Sequence, residues 1–314
     1  MPTSPRRRPG QRRRVRPAVA ERDYAPVWPL PASTSFLPGS SIEIIRKPQL
    51  ERAPEHVLFD FDGTLSLIRE GWMDIMIPMM VEKLAPFALK DETLSSLETL
   101  ARDFVTKLTG KQTIYQMMRL AEEIRARGGE PADPQDYKAE YHGRLMARIA
   151  WRRKGLAEGS IAPETMLVPG SLDLLRLLAD RGVSVYIASG TDEAYVLEEA
   201  HLLGLDAFAG GRVYGALADH RSFSKEMVIQ RILAENRVDG SRLLAFGDGY
   251  VEIADCKASG GLAVAVASDE AGRSGRPDPW KRERLIGAGA DLVIPDYREA
   301  GRLVDFIWSC GTPS

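Results

Sequence analysis

The stretch His56-Val57-Leu58-Phe59-Asp60-Phe61-Asp62-Gly63-Thr64-Leu65 constrains this chain more than any other. Val57 to Phe59 is a short apolar run that reads as a buried strand, and its polarity changes abruptly at Asp60. Asp60 and Asp62 lie two positions apart, so both point to the same side of an extended backbone. Gly63 lets the chain turn and the backbone approach a ligand closely. Open α/β sheets place their ligand sites at the carboxyl ends of buried parallel strands, which is where this carboxylate pair falls. The competing reading is a turn with two solvated aspartates, since Asp and Gly both favour turns. The compact Asp-x-Asp-Gly-Thr-Leu pattern favours a site.

The rest of the α/β rhythm resumes at Pro169-Gly170. A helix over Ser171–Arg181 precedes a strand, Val183–Ala188, that runs into Ser189-Gly190-Thr191. Helices are expected over Asp192–Leu203 and Lys225–Asn236, and a strand over Leu243–Phe246 enters Gly247-Asp248-Gly249. Short strands at Leu262–Val266 and Leu292–Ile294 and a helix over Tyr297–Ser309 complete the pattern. Alternating strands and helices predict a Rossmann-like parallel sheet with helices on both faces.

Between the first strand and Pro169 lies about a hundred residues of helical pattern. Gly71 opens an apolar stretch that continues through Leu84, and further helices are expected over 91–108, 112–127 and 134–154. An all-helical insertion of this size is a candidate second domain. The expected division is therefore an α/β core over 53–67 and 166–314, with a helical domain over 68–165. Residues 1–52, rich in Arg, Pro and Ser, read as a disordered extension, within which Ser41-Ile42-Glu43-Ile44-Ile45 is a candidate to form a short strand or pack on the body. The methionines Met73, Met76, Met79, Met80, Met117 and Met118 read first as core packing, with a substrate-facing lining as the alternative. Thr109-Gly110-Lys111-Gln112-Thr113 is a polar connection inside an amphipathic region. Lys111 and Gln112 are candidates to reach a substrate from the insertion.

Composition sets the outer limits. At 44% hydrophobic and 27% charged residues the chain has the make-up of an ordinary globular protein. No apolar run approaches the roughly 20 residues that span a bilayer. Cys256 and Cys310 form no zinc-like spacing and no disulfide framework, which suits a reducing cytoplasm. The four histidines are scattered. Residues 1–17 carry seven Arg and no acid, so against a total formal charge of −2 the remainder carries −9. An acidic body argues against a nucleic-acid-binding surface.

The residues Asp60-Phe61-Asp62-Gly63-Thr64-Leu65 resemble the first motif of the haloacid dehalogenase-like hydrolase superfamily. Ser189 after an apolar strand, Lys225 at a helix start and Gly247-Asp248-Gly249-Tyr250-Val251-Glu252 resemble its second, third and fourth motifs, in the family's order. The helical insertion looks like the family's C1 cap. The resemblance implies that Asp60 is the nucleophile and Asp62 the general acid/base of a phosphatase. It also implies phosphate binding by Thr64, Ser189, Gly190 and Lys225, with Thr64 steadying the turn that carries the acid/base. The expected cofactor is Mg²⁺, held by Asp60, the backbone carbonyl of Asp62, Asp248 and a second acid. That second acid departs from the commonest pattern, being Glu252, with Asp255 as the alternative. The expected substrate is a small phosphorylated metabolite. A phosphomutase would use the same residues, and a non-catalytic binding protein on this fold is the alternative from another class.

Overall fold

The computed structural model describes residues 24–311. The strands are β1 (Ser35–Phe36), β2 (Glu43–Ile44), β3 (His56–Phe59), β4 (Ser184–Asp192), β5 (Val213–Ala216), β6 (Leu243–Gly247), β7 (Leu262–Val266) and β8 (Leu292–Ile294). They form one eight-stranded sheet in the order β1-β2-β8-β7-β6-β3-β4-β5. From β8 to β5 all neighbours are parallel, whereas β2 pairs antiparallel with β8, and β1 with β2. Val57, Leu58 and Phe59 are fully buried because both faces of the sheet are covered, which is why the strand carries no polar alternation. Each such side chain contributes roughly 1.5–3 kcal/mol by leaving water.

Four helices fill the insertion: α1 (Met73–Leu84), α2 (Leu94–Leu108), α3 (Thr113–Ala126) and α4 (Pro134–Ala157). The capping pair Thr93/Ser96 starts α2, and Asp133 followed by Pro134 starts α4. Met79, Met80 and Met117 are fully buried in the core, as the packing reading expects. Seven helices accompany the sheet: α5 (Ser171–Asp180), α6 (Glu193–Leu202), α7 (Asp206–Ala209), α8 (Lys225–Asn236), α9 (Tyr250–Ala258), α10 (Pro279–Ala288) and α11 (Ala300–Ser309).

Two features correct the sequence reading. The expected disordered extension over 1–52 does not hold for its described part, since β1 and β2 add to the sheet edge. The remaining part of that expectation, residues 1–23, lies outside the described residues. Arg282 donates to both oxygens of the buried Glu43, Arg46 Nη2 donates to the Ala290 carbonyl at 2.8 Å, and Ile42 is buried in the core, so an ion pair, a backbone contact and one apolar anchor seat this edge. Further upstream, the N–H groups of Val27 and Trp28 donate to the Gly287 carbonyl, and the Tyr24 hydroxyl donates to the Arg284 carbonyl at 2.9 Å. Arg284 in turn donates to the Lys107 carbonyl at 2.9 Å, tying the end of α2 to the sheet side. The second is α10, a helix in the segment between the strands expected at 262–266 and 292–294, to which the sequence pattern assigns no element. Its start has an Asp278 cap with Pro279 in the first turn, and it buries Leu285 and Ile286.

Candidate active site

Register explains why three of the four motif segments meet. On one side of β3, Phe59 pairs with Ile187, and on the other with Phe246. Asp60, Ser189 and Asp248 therefore leave three adjacent parallel strands at the same edge. Phe59 and Phe246 stack with centroids 4.9 Å apart beneath them, giving the carboxylates a rigid apolar floor. The β4 strand continues past Ala188, with a register shift, to Asp192. The expected strand ended at Ala188; the irregularity carries Ser189 and Thr191 beyond it on one side of the chain.

Asp60 is 6% exposed, and its Oδ1 lies 2.7 Å from Lys225 Nζ. Lys225 also donates to Glu252 Oε2 at 2.7 Å. Burial pushes the Asp60 carboxyl well above the usual aspartate range; Lys225 opposes this, while Glu252 and Asp248 add to it. Burial works against the Lys225 ammonium, but Asp60 and Glu252 outweigh it and hold its pKa above the ordinary lysine value. The lysine stays charged. Ser224 caps α8 and fixes where this lysine leaves the backbone.

Asp62 is placed differently from Asp60. Its Oδ2 accepts from the Ser189 hydroxyl at 3.1 Å and from the Thr191 hydroxyl at 2.9 Å. Its Oδ1 is buried without a hydrogen-bond partner, 3.7 Å from Arg69 Nε. Arg69 is itself clamped by Glu199, which accepts from Nε at 2.9 Å and from Nη2 at 2.8 Å. Ser189, which the sequence reading assigns to phosphate, lines the cleft with Gly190, and its hydroxyl holds the second carboxylate. Thr191 and Arg69 were not assigned. The two-residue spacing of Ser189 and Thr191 is the signal that pairs them.

Thr64 also corrects an expectation. It is fully buried and bonds Asp248 twice, donating to Oδ1 at 3.1 Å and accepting the Asp248 N–H at 2.9 Å. It ties the first loop to the fourth and does not face the cleft. The tight turn beside it needs Gly63, whose φ is +76° and whose added Cβ would stand 2.3 Å from Asp248 Oδ2.

Asp60, Asp248 and Glu252 each bring a carboxylate oxygen within 4.8 Å of the others. Glu252 Oε1 accepts the Gly249 N–H at 2.7 Å and Oε2 accepts from Lys225, so its oxygens are already engaged by the protein. Asp255 is not part of this cluster. A further pair joins it: Lys281 Nζ lies 2.9 Å from Asp248 Oδ2 and 2.7 Å from Glu270 Oε1. In all, five carboxylates (Asp60, Asp62, Asp248, Glu252 and Glu270) face two ammoniums, those of Lys225 and Lys281, and the Arg69 guanidinium, whose charge Glu199 already meets. This imbalance and the bare Asp62 oxygen suit a hard divalent cation with oxygen ligands. Lys257, beyond the fourth motif, pairs with Asp291 at 2.8 Å.

The insertion roofs the site. Lys111, Thr113, Lys138, Met76 and His142 line the cleft together with the carboxylates. Gln112 does not. Its amide donates to the backbone carbonyls of His220 at 2.9 Å and Phe223 at 2.7 Å, latching the insertion to the segment just before Lys225. Gly190 makes room beneath the same loop, since an added Cβ would meet the Lys111 carbonyl oxygen at 2.7 Å. Replacing Gln112 by Ala leaves two backbone carbonyls short of a donor, a change of about 1–3 kcal/mol where such groups stay buried. We expect Gln112→Ala to raise KM severalfold while retaining most of kcat, a split that steady-state kinetics resolves.

A mostly parallel sheet, an acid pair after its central strand, a lysine on a neighbouring helix and a roof of helices define a hydrolase of the phosphoryl-transfer type of architecture. The chain belongs to the haloacid dehalogenase-like hydrolases, whose family model matches residues 54–260. No curated protein matches it closely enough to count as a relative. Among solved structures it is similar to a predicted phosphoglycolate phosphatase from Haemophilus somnus, at 14% identity and a TM-score of 0.51, covering 80% of this chain and 97% of that one. It is similar to a predicted phosphatase from Clostridium acetobutylicum, at 18% and 0.51, covering 81% and 99%. It also resembles CbbY from Rhodobacter sphaeroides, solved with xylulose-(1,5)bisphosphate, at 21% and 0.50, covering 78% and 96%. At these identities the likeness speaks for the fold.

Proposed function

We propose that this protein is a Mg²⁺-dependent phosphatase acting on a small phosphorylated metabolite through an aspartyl-phosphate. The observation that carries the reading is the Asp60–Lys225 pair, 2.7 Å apart at the floor of a cleft that Asp62 also lines. The free oxygen of Asp60 attacks phosphorus, and the bond to the leaving oxygen breaks with its electron pair. Asp62 gives that oxygen a proton. In the second step Asp62 takes a proton from water, the water oxygen bonds phosphorus, and the Asp60 carboxylate leaves. Lys225 balances charge on Asp60 in both steps, while Ser189, Thr191 and Arg69 hold Asp62 in reach. Asp60, the Asp62 carbonyl and Asp248 would hold Mg²⁺, which when bound lowers the repulsion between phosphate and the carboxylates. Glu252 acts through Lys225 and the Gly249 N–H in this scheme.

The four-helix insertion, residues 68–165, serves as a C1 cap and selects the substrate; Lys111 stands in the cleft to meet its non-phosphate part. Among the described residues no helix is long and apolar enough to cross a membrane, and Cys256 and Cys310 are free thiols. Both accord with a cytoplasmic enzyme. A phosphomutase is the second reading, since a candidate β-phosphoglucomutase from Bacteroides vulgatus is among the structural neighbours at a TM-score of 0.51. Phosphate release from a panel of small phosphate esters, run with Mg²⁺ and with EDTA, tests the proposal. The expected result is Mg²⁺-dependent release that EDTA abolishes. Isomerised sugar phosphate without free phosphate would establish the mutase, and release unaffected by EDTA would remove the metal from the scheme.

A further inference from the structure

The buried cation on the far side of the acid cluster has no counterpart among the motif residues. Lys281 leaves the first turn of α10, where the Asp278 side chain accepts the Lys281 N–H at 2.8 Å and fixes the backbone. Its side chain is only 12% exposed and makes three contacts: Asp248 Oδ2 at 2.9 Å, Glu270 Oε1 at 2.7 Å and Ser268 Oγ at 3.0 Å. Ser268 passes this anchoring on by donating to the Gly63 carbonyl at 2.7 Å, inside the turn between Asp62 and Thr64. The arrangement mirrors the first half of the site. Lys225 bridges Asp60 and Glu252; Lys281 bridges Asp248 and Glu270.

We infer that Lys281 and Glu270 are a charge pair that sets the affinity of the metal site through Asp248. This inference rests on the metal reading given above. Asp248 is the acid the two halves share, because Thr64 holds its Oδ1 and Lys281 its Oδ2. A fixed positive charge bonded to a metal-binding carboxylate weakens that carboxylate's pull on a dication, and a neighbouring carboxylate restores part of it. With both present the pair is neutral and Asp248 is held in one orientation. The pair therefore acts as a positioning device for Asp248 and as a limit on how tightly the ion is held. Loss of orientation alone lowers metal affinity by about 10–100-fold. Loss of a buried positive charge beside a dication acts in the opposite sense and, at this range and burial, is the larger effect.

The test is Mn²⁺ binding to the chelator-treated full chain, followed by the paramagnetic resonance signal of the free ion. Lys281→Met is expected to bind Mn²⁺ about tenfold or more tightly than the wild type, and Glu270→Gln about tenfold or more weakly. Lys281→Arg keeps the charge and is expected to bind within a few fold of the wild type. The double variant Lys281→Met/Glu270→Gln removes both charges, and its affinity returns close to wild type. Should Lys281→Met fail to fold on its own, the double variant decides. A merely structural pair would weaken binding in every variant, and most in the double one; that result overturns the inference and leaves the metal reading standing. A wild type that binds no Mn²⁺ overturns both.

Discussion

Asp60→Asn is expected to lower turnover by roughly a thousandfold or more while the protein keeps its fold. The substitution preserves the size of the side chain and an oxygen to accept from Lys225, but an amide oxygen is no nucleophile towards phosphorus. Lys225 retains Glu252 as its charged partner at 2.7 Å, so the ammonium is not stranded. The melting temperature of the metal-free variant is therefore expected to stay within a few degrees of wild type. Activity assays beside a thermal scan check both halves. Near-normal turnover in a folded Asp60→Asn protein would end the covalent scheme.

Lys225→Met is expected to damage the molecule in a different way, costing both activity and stability. The ammonium is 4% exposed and is the shared partner of Asp60 and Glu252, which otherwise face each other in the same buried space. Removing one partner of a buried charge cluster costs about 3–5 kcal/mol, because the remaining charges are left without compensation. Methionine replaces the stem but not the charge. Chemical denaturation should show the loss directly, and Mg²⁺ should recover part of it by supplying positive charge to the same carboxylates. Equal stability of Lys225→Met and wild type would show that the cluster carries no such strain.

The two substitutions separate chemistry from architecture, and the same separation governs what could be read from the sequence. Asp60 and Asp62 were legible because their neighbours in the chain define their setting: an apolar strand before, a glycine turn after. Asp248 was legible for the same reason. Lys225 could be placed because it opens a helix in the order of the family's motifs; Ser224, which caps that helix, gave no such signal on its own. Glu270 and Lys281 sit in a polar stretch with Gly, Ser, Arg and Pro, where nothing local points to a site. They reach Asp248 only because β7 lies beside β6 and α10 folds back across that edge. The Asp278-Pro279 start and the apolar Leu285-Ile286 pair were the available signals for that helix.

Side-chain direction was the other thing hidden from the sequence. Ser189, Thr64 and Gln112 each bond their polar atoms to the protein. Ser189 holds Asp62, Thr64 holds Asp248, and Gln112 holds two backbone carbonyls. Spacing shows which residues share a side of an element; it does not show which partner a hydroxyl or amide selects when several lie within reach. The N-terminal edge shows the same limit. Only Ser41–Ile45 stands out there as a candidate strand; β1 carries no such signal, and the ion pair that seats β2, Glu43 with Arg282 of α10, joins residues far apart in the chain.

The central claim is that Asp60 carries the phosphoryl group. It is tested most directly by mixing enzyme with an intact phosphate ester that it turns over and Mg²⁺, quenching with acid within a turnover, and mapping phosphorylated peptides by mass spectrometry. The account predicts a base-labile phosphoryl adduct on the peptide containing Asp60, absent from Asp60→Asn. Active enzyme that yields no adduct on Asp60, or that places it on another residue, would contradict it.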